Sequence, residues 1–62
     1  MEKPTCKLIG ADGNIFNLVG LASRSLRNAV QADKATEMQN KVFASKSYDE
    51  ALCIIMEYVE VE

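Results

Sequence analysis

The sequence has no histidine and no tryptophan, and its 62 residues include only one proline, two cysteines and three glycines. Without an imidazole, the chain lacks the side chain that most often binds metals or acts as a general base near neutral pH. Two cysteines without histidine supply too few ligands for a tetrahedral zinc site within one chain. These absences argue against a zinc centre and against histidine-dependent catalysis.

Long apolar runs are also missing. The longest covers residues 51–56, which is far too short to cross a bilayer. The first four residues do not open a continuous apolar segment of the kind that a secretory signal peptide contains. These features predict a cytoplasmic protein without a membrane partner.

The two cysteines, Cys6 and Cys53, each lie in an apolar segment. A small secreted domain would carry a denser set of cysteines, because such domains depend on disulfides. We therefore predict two buried thiols in a reducing compartment. A disulfide between Cys6 and Cys53 stays open as the alternative.

Composition and charge are those of an ordinary small globular domain. Hydrophobic residues make up 48% of the chain and charged residues 26%, unlike the low hydrophobicity and high net charge of disordered chains. The length leaves room for one domain, residues 1–62. A formal net charge of −2 gives no broad attraction to nucleic acid or to an anionic membrane.

Both ends of the chain show the alternation that is typical of strands. In residues 5–9, Cys6 and Leu8 fall on one face, which predicts a short strand. In residues 58–62, Val59 and Val61 alternate with glutamates. This tail either continues the preceding helix or leaves it as a strand that pairs with residues 5–9.

A strong turn signal, residues 10–14, is followed by helical periodicity. The turn permits either a hairpin, with residues 14–17 as a second strand, or a helix capped by Asn14. The spacing of the following apolar residues favours the helix. Gly20 lies inside it and indicates a close approach of another element. The predicted apolar face comprises Phe16, Val19, Ala22, Leu26, Ala29 and Val30, widened by Leu18 and Leu21.

Two further helices follow. Asp33 is the predicted N-cap of the second helix, and Ser47 with Glu50 forms a capping box for the third. The second helix has an apolar face of Ala35, Met38, Val42 and Phe43. The third has Ala51, Leu52, Ile55 and Val59, broadened by Ile54 and Tyr58, and we expect it to be the central helix. The fold prediction is a mainly α, three-helix domain with an N-terminal strand, or α+β if the tail pairs with it.

Chemical sites are not indicated. Asp12 and Gly13 resemble part of a calcium loop, but the other ligand positions fall on Leu8, Gly10 and Val19. The same turn lacks the residues of a phosphate-binding loop. No nucleophile has a base beside it, and the chain is too short to wall a large pocket. We therefore predict no enzyme activity, no cofactor, no metal and no small-molecule substrate.

The function that we therefore predict is binding to another macromolecule. The prediction is a protein partner or self-association, because the chain has more large apolar groups than a small core covers: Phe16, Leu18, Leu21, Met38, Phe43 and Tyr58. The alternative is a nucleic-acid-binding factor that uses Lys7, Arg24 and Arg27, with the first two helices placed like a helix-turn-helix.

The chain resembles a group of short bacterial proteins associated with phages and other mobile elements. The resemblance lies in residues 7–14 (Lys-Leu-Ile-Gly-Ala-Asp-Gly-Asn), 22–29, 47–50 (Ser-Tyr-Asp-Glu) and 56–61 (Met-Glu-Tyr-Val-Glu-Val). It covers nearly the whole chain. It implies a free-standing small accessory protein of a bacterial or phage genome, and it carries over no catalytic or binding residues.

Overall fold

The computed structural model describes residues 3–62 and confirms the predicted three-helix fold with a strand at each end. The order is β1 (Thr5–Cys6), α1 (Ile15–Asn28), α2 (Ala32–Phe43), α3 (Tyr48–Tyr58) and β2 (Glu60–Val61). All five elements belong to the one domain that the sequence predicts. The helix that the sequence favours after the turn is confirmed, and the alternative hairpin at residues 14–17 is not formed, because Asn14 caps α1 and the next residues begin it.

The two strands form a parallel pair that joins the ends of the described chain. Thr5 lies opposite Glu60, and the Glu60 N–H donates to the Pro4 carbonyl at 2.8 Å. Beyond β1, the Leu8 N–H donates to the Glu62 carbonyl at 2.8 Å. The tail is therefore a strand, although β1 is shorter than predicted. Parallel neighbours need a long crossover, and here all three helices supply it.

The turn before α1 depends on one glycine and one cap. The Ala11 N–H donates to the Leu8 carbonyl at 3.1 Å, with Gly10 between them at φ +89°. That left-handed conformation favours glycine. The Asn14 side-chain oxygen then accepts from the Phe16 N–H at 2.9 Å, which confirms Asn14 as the N-cap.

The other two helix starts differ in part from prediction. Gln31, not Asp33, precedes α2, and Asp33 lies in the first turn, where its charge suits the helix dipole. The Ser47 hydroxyl accepts from the Glu50 N–H at 3.1 Å, as predicted. The Glu50 carboxylate, however, accepts from the Lys46 N–H at 3.0 Å, one residue earlier than expected.

The core lies between the three helices and the inner face of the strands. One alanine per helix is buried (Ala22, Ala35 and Ala51), so the helix backbones approach one another closely. Ser23 is also buried, and its hydroxyl accepts from the Gln39 amide of α2 at 2.7 Å. The larger buried apolar residues are Cys6, Leu8, Leu18, Val19, Leu26, Met38, Val42, Ile55 and Val59.

Four predictions about burial and packing are wrong. Cys6 is buried but Cys53 is exposed, and both thiols are free, so the alternative disulfide is not formed. Phe16 and Phe43 are exposed, whereas Ile15 packs against the core and Val42 is buried. The two rings therefore lie off the buried faces of α1 and α2. Ala29 and Val30 are also exposed, since they form the connection after α1. The central helix is α1, which buries five residues, whereas α3 buries two.

Gly20 does not mark a close approach. It is exposed, and a Cβ added there would meet nothing within 4 Å. Replacing Gly20 with alanine is therefore expected to raise the free energy of unfolding by about 0.5–1 kcal/mol, through helix propensity alone. Urea unfolding checks this result. A loss of stability would show that a neighbour occupies the space beside Gly20.

Candidate interaction surface

Seven large apolar side chains are exposed in the described part of the chain, and six of them line two clefts that share one lining residue. Scattered apolar residues are normal on a protein surface, but a contiguous group indicates a binding surface. The seven are Ile9, Phe16, Val30, Phe43, Tyr48, Met56 and Val61, and only Val30 lines neither cleft.

The first cleft lies where the start of α1, the end of α2 and the start of α3 meet. Phe16 is 70% exposed and Phe43 61% exposed, and their ring centroids are 6.1 Å apart at an angle of 40°. Such tilted pairs are favourable aromatic contacts. The cleft has a volume of about 350 Å³, and Lys46 lies on its wall. The two phenyl rings are therefore an exposed apolar part of the cleft wall.

The second cleft lies between the turn after β1, the outer side of α3 and the end of β2. Its volume is about 280 Å³. Apolar side chains dominate its lining: Leu8, Ile9, Leu18, Leu52, Met56 and Val61, with Tyr48 at one end. Leu8 and Leu18 are core residues whose edges reach this surface. The cleft is therefore an opening onto the core.

Tyr48 lines both clefts. Its hydroxyl donates to the Gly13 carbonyl and so fixes the start of α3 against the turn before α1. The ring is 45% exposed. We call the six exposed apolar residues that line the two clefts the apolar face: Ile9, Phe16, Phe43, Tyr48, Met56 and Val61.

One part of the apolar face could have been predicted from the sequence of α3. The periodicity assigns the apolar residues of this helix to a single broad face, but they form two stripes. Ala51 and Ile55 face the core, whereas Tyr48, Leu52 and Met56, each four residues apart, form a second stripe along one side of the helix. Tyr48 and Met56 are exposed and Leu52 is half-buried. A helix that is apolar around much of its girth is usually covered on all sides. Here one side of α3 lacks such cover among the described residues.

The basic residues proposed for nucleic acid lie in two places. Arg24 and Arg27 are exposed on α1, which contains no acidic residue. Lys7 is exposed after β1, on a different segment, beside a depression of about 310 Å³. The second helix of the helix-turn-helix-like pair exposes Asp33 and Glu37. The structure therefore brings the two arginines onto one helix and leaves Lys7 on a separate segment.

A polar cluster ties α2 to α3 on the side of Tyr58. The Tyr58 hydroxyl donates to the Glu37 carboxylate, and the Lys41 ammonium lies 5.3 Å from the centre of the Tyr58 ring. The hydrogen bond from Tyr58, and then the charge of Lys34, lower the pKa of Glu37. Burial, and then the bond to Glu37, raise the pKa of Tyr58. Hydrogen bonding with Tyr58 is also the main cause that raises the pKa of Lys41.

Replacing Tyr58 with phenylalanine is expected to lower the urea midpoint near neutral pH, by an amount that shrinks in acid. The folded pKa of Glu37 is lowered, so its contribution is present above the ordinary value of 4.5 and is lost as the pH falls through the folded pKa. Unfolding curves across that range measure the gap between wild type and variant. A gap of constant size from neutral to acid would contradict the prediction.

Metal binding finds no support in the described residues, where no three cysteine or acidic side chains come together. Asp12 instead accepts from the Asn14 N–H at 3.0 Å, as a turn residue does.

The longest helix between residues 3 and 62 has 14 residues, and none has the length and apolar character needed to cross a membrane.

Comparisons with known proteins do not place the chain in a family. No protein-family model, no curated protein and no solved structure matches it. The interpretation of the apolar face therefore depends on the geometry of this chain.

Proposed function

We propose that the protein is a non-enzymatic interaction module that binds another protein molecule through the apolar face. The carrying observation is that six exposed apolar residues line two clefts that have Tyr48 as a common lining residue. Aromatic side chains and methionine are the residues that protein interfaces favour. The resemblance to bacterial and phage-associated proteins supports an accessory role in such a genome.

The size of the apolar face supports this function. An aromatic side chain buries about 150–250 Å². At the observed exposures of Phe16, Phe43 and Tyr48, the three rings leave about 350 Å² in solvent, to which Ile9, Met56 and Val61 add. The largest apolar patch on a typical monomer is about 300–600 Å² and is often functional. The apolar face is therefore as large as known binding patches.

Capture of a partner tests the proposal. Immobilised wild-type protein is expected to retain, from a lysate of the cell that encodes it, a protein that the Phe43→Ser and Met56→Ser variants lose. Val30→Ser is the matched control, because Val30 is exposed and apolar but lies outside both clefts. Retention that is equal for all four proteins would contradict the proposed use of the apolar face.

We also propose a cytoplasmic location, because of the state of the two cysteines. Cys6 and Cys53 are free thiols, and Cys53 is exposed. An exposed thiol is maintained in a reducing compartment, whereas an oxidising one would favour its pairing or modification. Fractionation of the source cell, followed by thiol labelling, measures both the compartment and the redox state.

The second candidate function is binding to nucleic acid. The exposed side of α1 carries Asn17, Gly20, Arg24 and Arg27 and no carboxylate. Arginine contacts to phosphate make binding weaken as salt increases. Titration of duplex and single-stranded DNA at two salt concentrations, with an Arg24→Ala and Arg27→Ala double variant, tests this candidate. Binding that is absent at low salt, or that the double variant leaves unchanged, would rule it out.

A further inference from the structure

The parallel pair uses only one edge of β1. The Pro4 and Cys6 carbonyls accept from N–H groups of β2 and of the residue after it, at 2.8 and 2.9 Å. The Leu8 N–H donates in the same direction at 2.8 Å. Successive residues of a strand direct their N–H and C=O groups to opposite edges, so those of Thr5 and Lys7 point away from β2.

This outer edge of β1 is open among residues 3–62. Thr5 and Lys7 are both exposed, and neither donates or accepts in the backbone bonds of the turns and loops. Besides β2, the element that contacts β1 is α1, which lies on the buried side of the strand. Two donors and two acceptors therefore stand at alternate residues without a partner. Such a row is the template on which a further strand forms.

The pairing with β2 shows which kind of strand β1 accepts. Residues 59–62 alternate valine with glutamate, with the valines on the core side. Glu60 lies opposite Thr5, and its carboxylate is 3.8 Å from the Lys3 ammonium. Lys7 is likewise exposed, and no carboxylate of the described chain pairs with it. Because opposite charges on neighbouring strands attract, the open edge favours a strand of the same apolar and acidic pattern.

We propose that an extended segment of another protein, in which apolar and acidic residues alternate, adds to β1 as a third strand. Its backbone bonds to the N–H and C=O groups of Thr5 and Lys7, and an acidic side chain lies beside the Lys7 ammonium. Main-chain bonds give such strand addition its affinity, and the alternating side chains give it specificity. These residues lie outside the apolar face, so the inference goes beyond the proposed function.

Other strands fit this edge less well. Pairing of β1 with β1 of a second copy places the Lys7 side chains of both on one side of the sheet, and an edge lysine opposes such self-pairing. The outer edge of β2 offers fewer groups, because Val59 is buried and Val61 is the one exposed residue that points its backbone groups away from β1.

Selection of random peptides displayed on phage against the wild-type chain tests the proposal. The enriched peptides are expected to alternate apolar and acidic residues. Lys7→Glu is expected to weaken their binding by about threefold to tenfold, because an attraction becomes a repulsion. Lys46→Glu is the matched control, since Lys46 is also exposed but lies outside β1, and its binding is expected to equal that of wild type. Circular dichroism checks that both variants are folded.

A synthetic copy of an enriched peptide tests the hydrogen bonds themselves. Only one set of its alternate amides faces β1, so N-methylation of that set is expected to weaken binding by at least about tenfold, whereas N-methylation of the other set is tolerated. In the complex, amide hydrogen exchange of Thr5 and Lys7 is expected to slow by at least about tenfold. The amide of Leu8 keeps the protection that it already has from its bond to residue 62.

Several results would overturn the added strand. Selection that enriches nothing, or peptides whose apolar residues recur every three or four positions, would do so. So would equal binding by the two methylated peptides, or loss of protection at residues 60 and 62, which would show that the peptide replaces β2. Self-association of wild type that the peptide abolishes would assign the edge to a second copy. Phe43→Ser and Met56→Ser are expected to bind the peptide like wild type, so this test and the capture experiment fail independently.

Discussion

Replacing Ile55 with alanine is expected to lower the free energy of unfolding by about 2–5 kcal/mol. Ile55 is fully buried, with 0% of its surface exposed, on the side of α3 that faces the other two helices. The change removes apolar contacts and leaves a cavity that the packed helices close only in part. A domain of this length has a total stability of about 3–9 kcal/mol, so the variant is expected to be partly unfolded at room temperature.

Met56→Ala is the matched control for this change. Met56 is the next residue of the same helix but is 51% exposed, and its loss should cost less than about 1 kcal/mol in dilute solution, where association does not contribute. Urea unfolding followed by far-ultraviolet circular dichroism measures both variants. Equal losses for Ile55→Ala and Met56→Ala would contradict the division of α3 into a core stripe and an exposed stripe.

Replacing Val30 with glycine is expected to raise the free energy of unfolding by about 1 kcal/mol and the melting temperature by about 4–8 °C. Val30 has a φ of +59°, and it is the sole non-glycine residue at positive φ among residues 3–62. A β-branched side chain is strained in that conformation, whereas glycine is not. Val30 is 91% exposed, so almost no packing is lost with its side chain.

The strain at Val30 follows from how α1 ends. The Gln31 N–H donates to the Leu26 carbonyl at 2.8 Å, and the Val30 N–H donates to the Arg27 carbonyl at 3.0 Å. These two bonds form a Schellman motif, which requires a left-handed residue at the position of Val30 and usually has glycine there. The gain in stability is the relief of strain, reduced by the greater freedom of glycine in the unfolded chain.

Val30→Ala separates the two contributions. Alanine removes the branched side chain but keeps a Cβ, so it is expected to recover less than half of the gain that glycine gives. Thermal unfolding at one protein concentration compares the three proteins. A glycine variant no more stable than wild type would show that the left-handed conformation at Val30 is not strained.

The helix caps show what could be predicted from sequence. Asn14 and Ser47 cap α1 and α3 as expected, because an N-cap bond joins residues two or three positions apart and needs no other part of the fold. The start of α2 was predicted at Asp33 but follows Gln31. The Schellman motif after α1 sets the path of the chain there, and the preference of one acidic residue does not override it.

The candidate surface could be predicted only in part. The sequence indicates six large apolar residues in excess of a small core, and of these Phe16 and Phe43 are exposed whereas Leu18 and Met38 are buried. The periodicity also assigns Phe16 and Phe43 to the buried faces of their helices, which is wrong. Periodicity gives the approximate direction of a face but does not show how wide its covered part is, and at these positions the residues that pack in or against the core are the neighbours Ile15 and Val42.

The sequence by itself determined the three helices, the polar caps of α1 and α3 and the alternating ends, since these depend on contacts between residues a few positions apart. Only the tertiary structure decided which apolar residues stay in solvent. Among residues 3–62, no element covers the second apolar stripe of α3, so Ala51 and Ile55 are buried whereas Tyr48 and Met56 are exposed. The spacing of apolar residues shows both stripes of α3 equally well, and only the packing of the helices decides which stripe is buried.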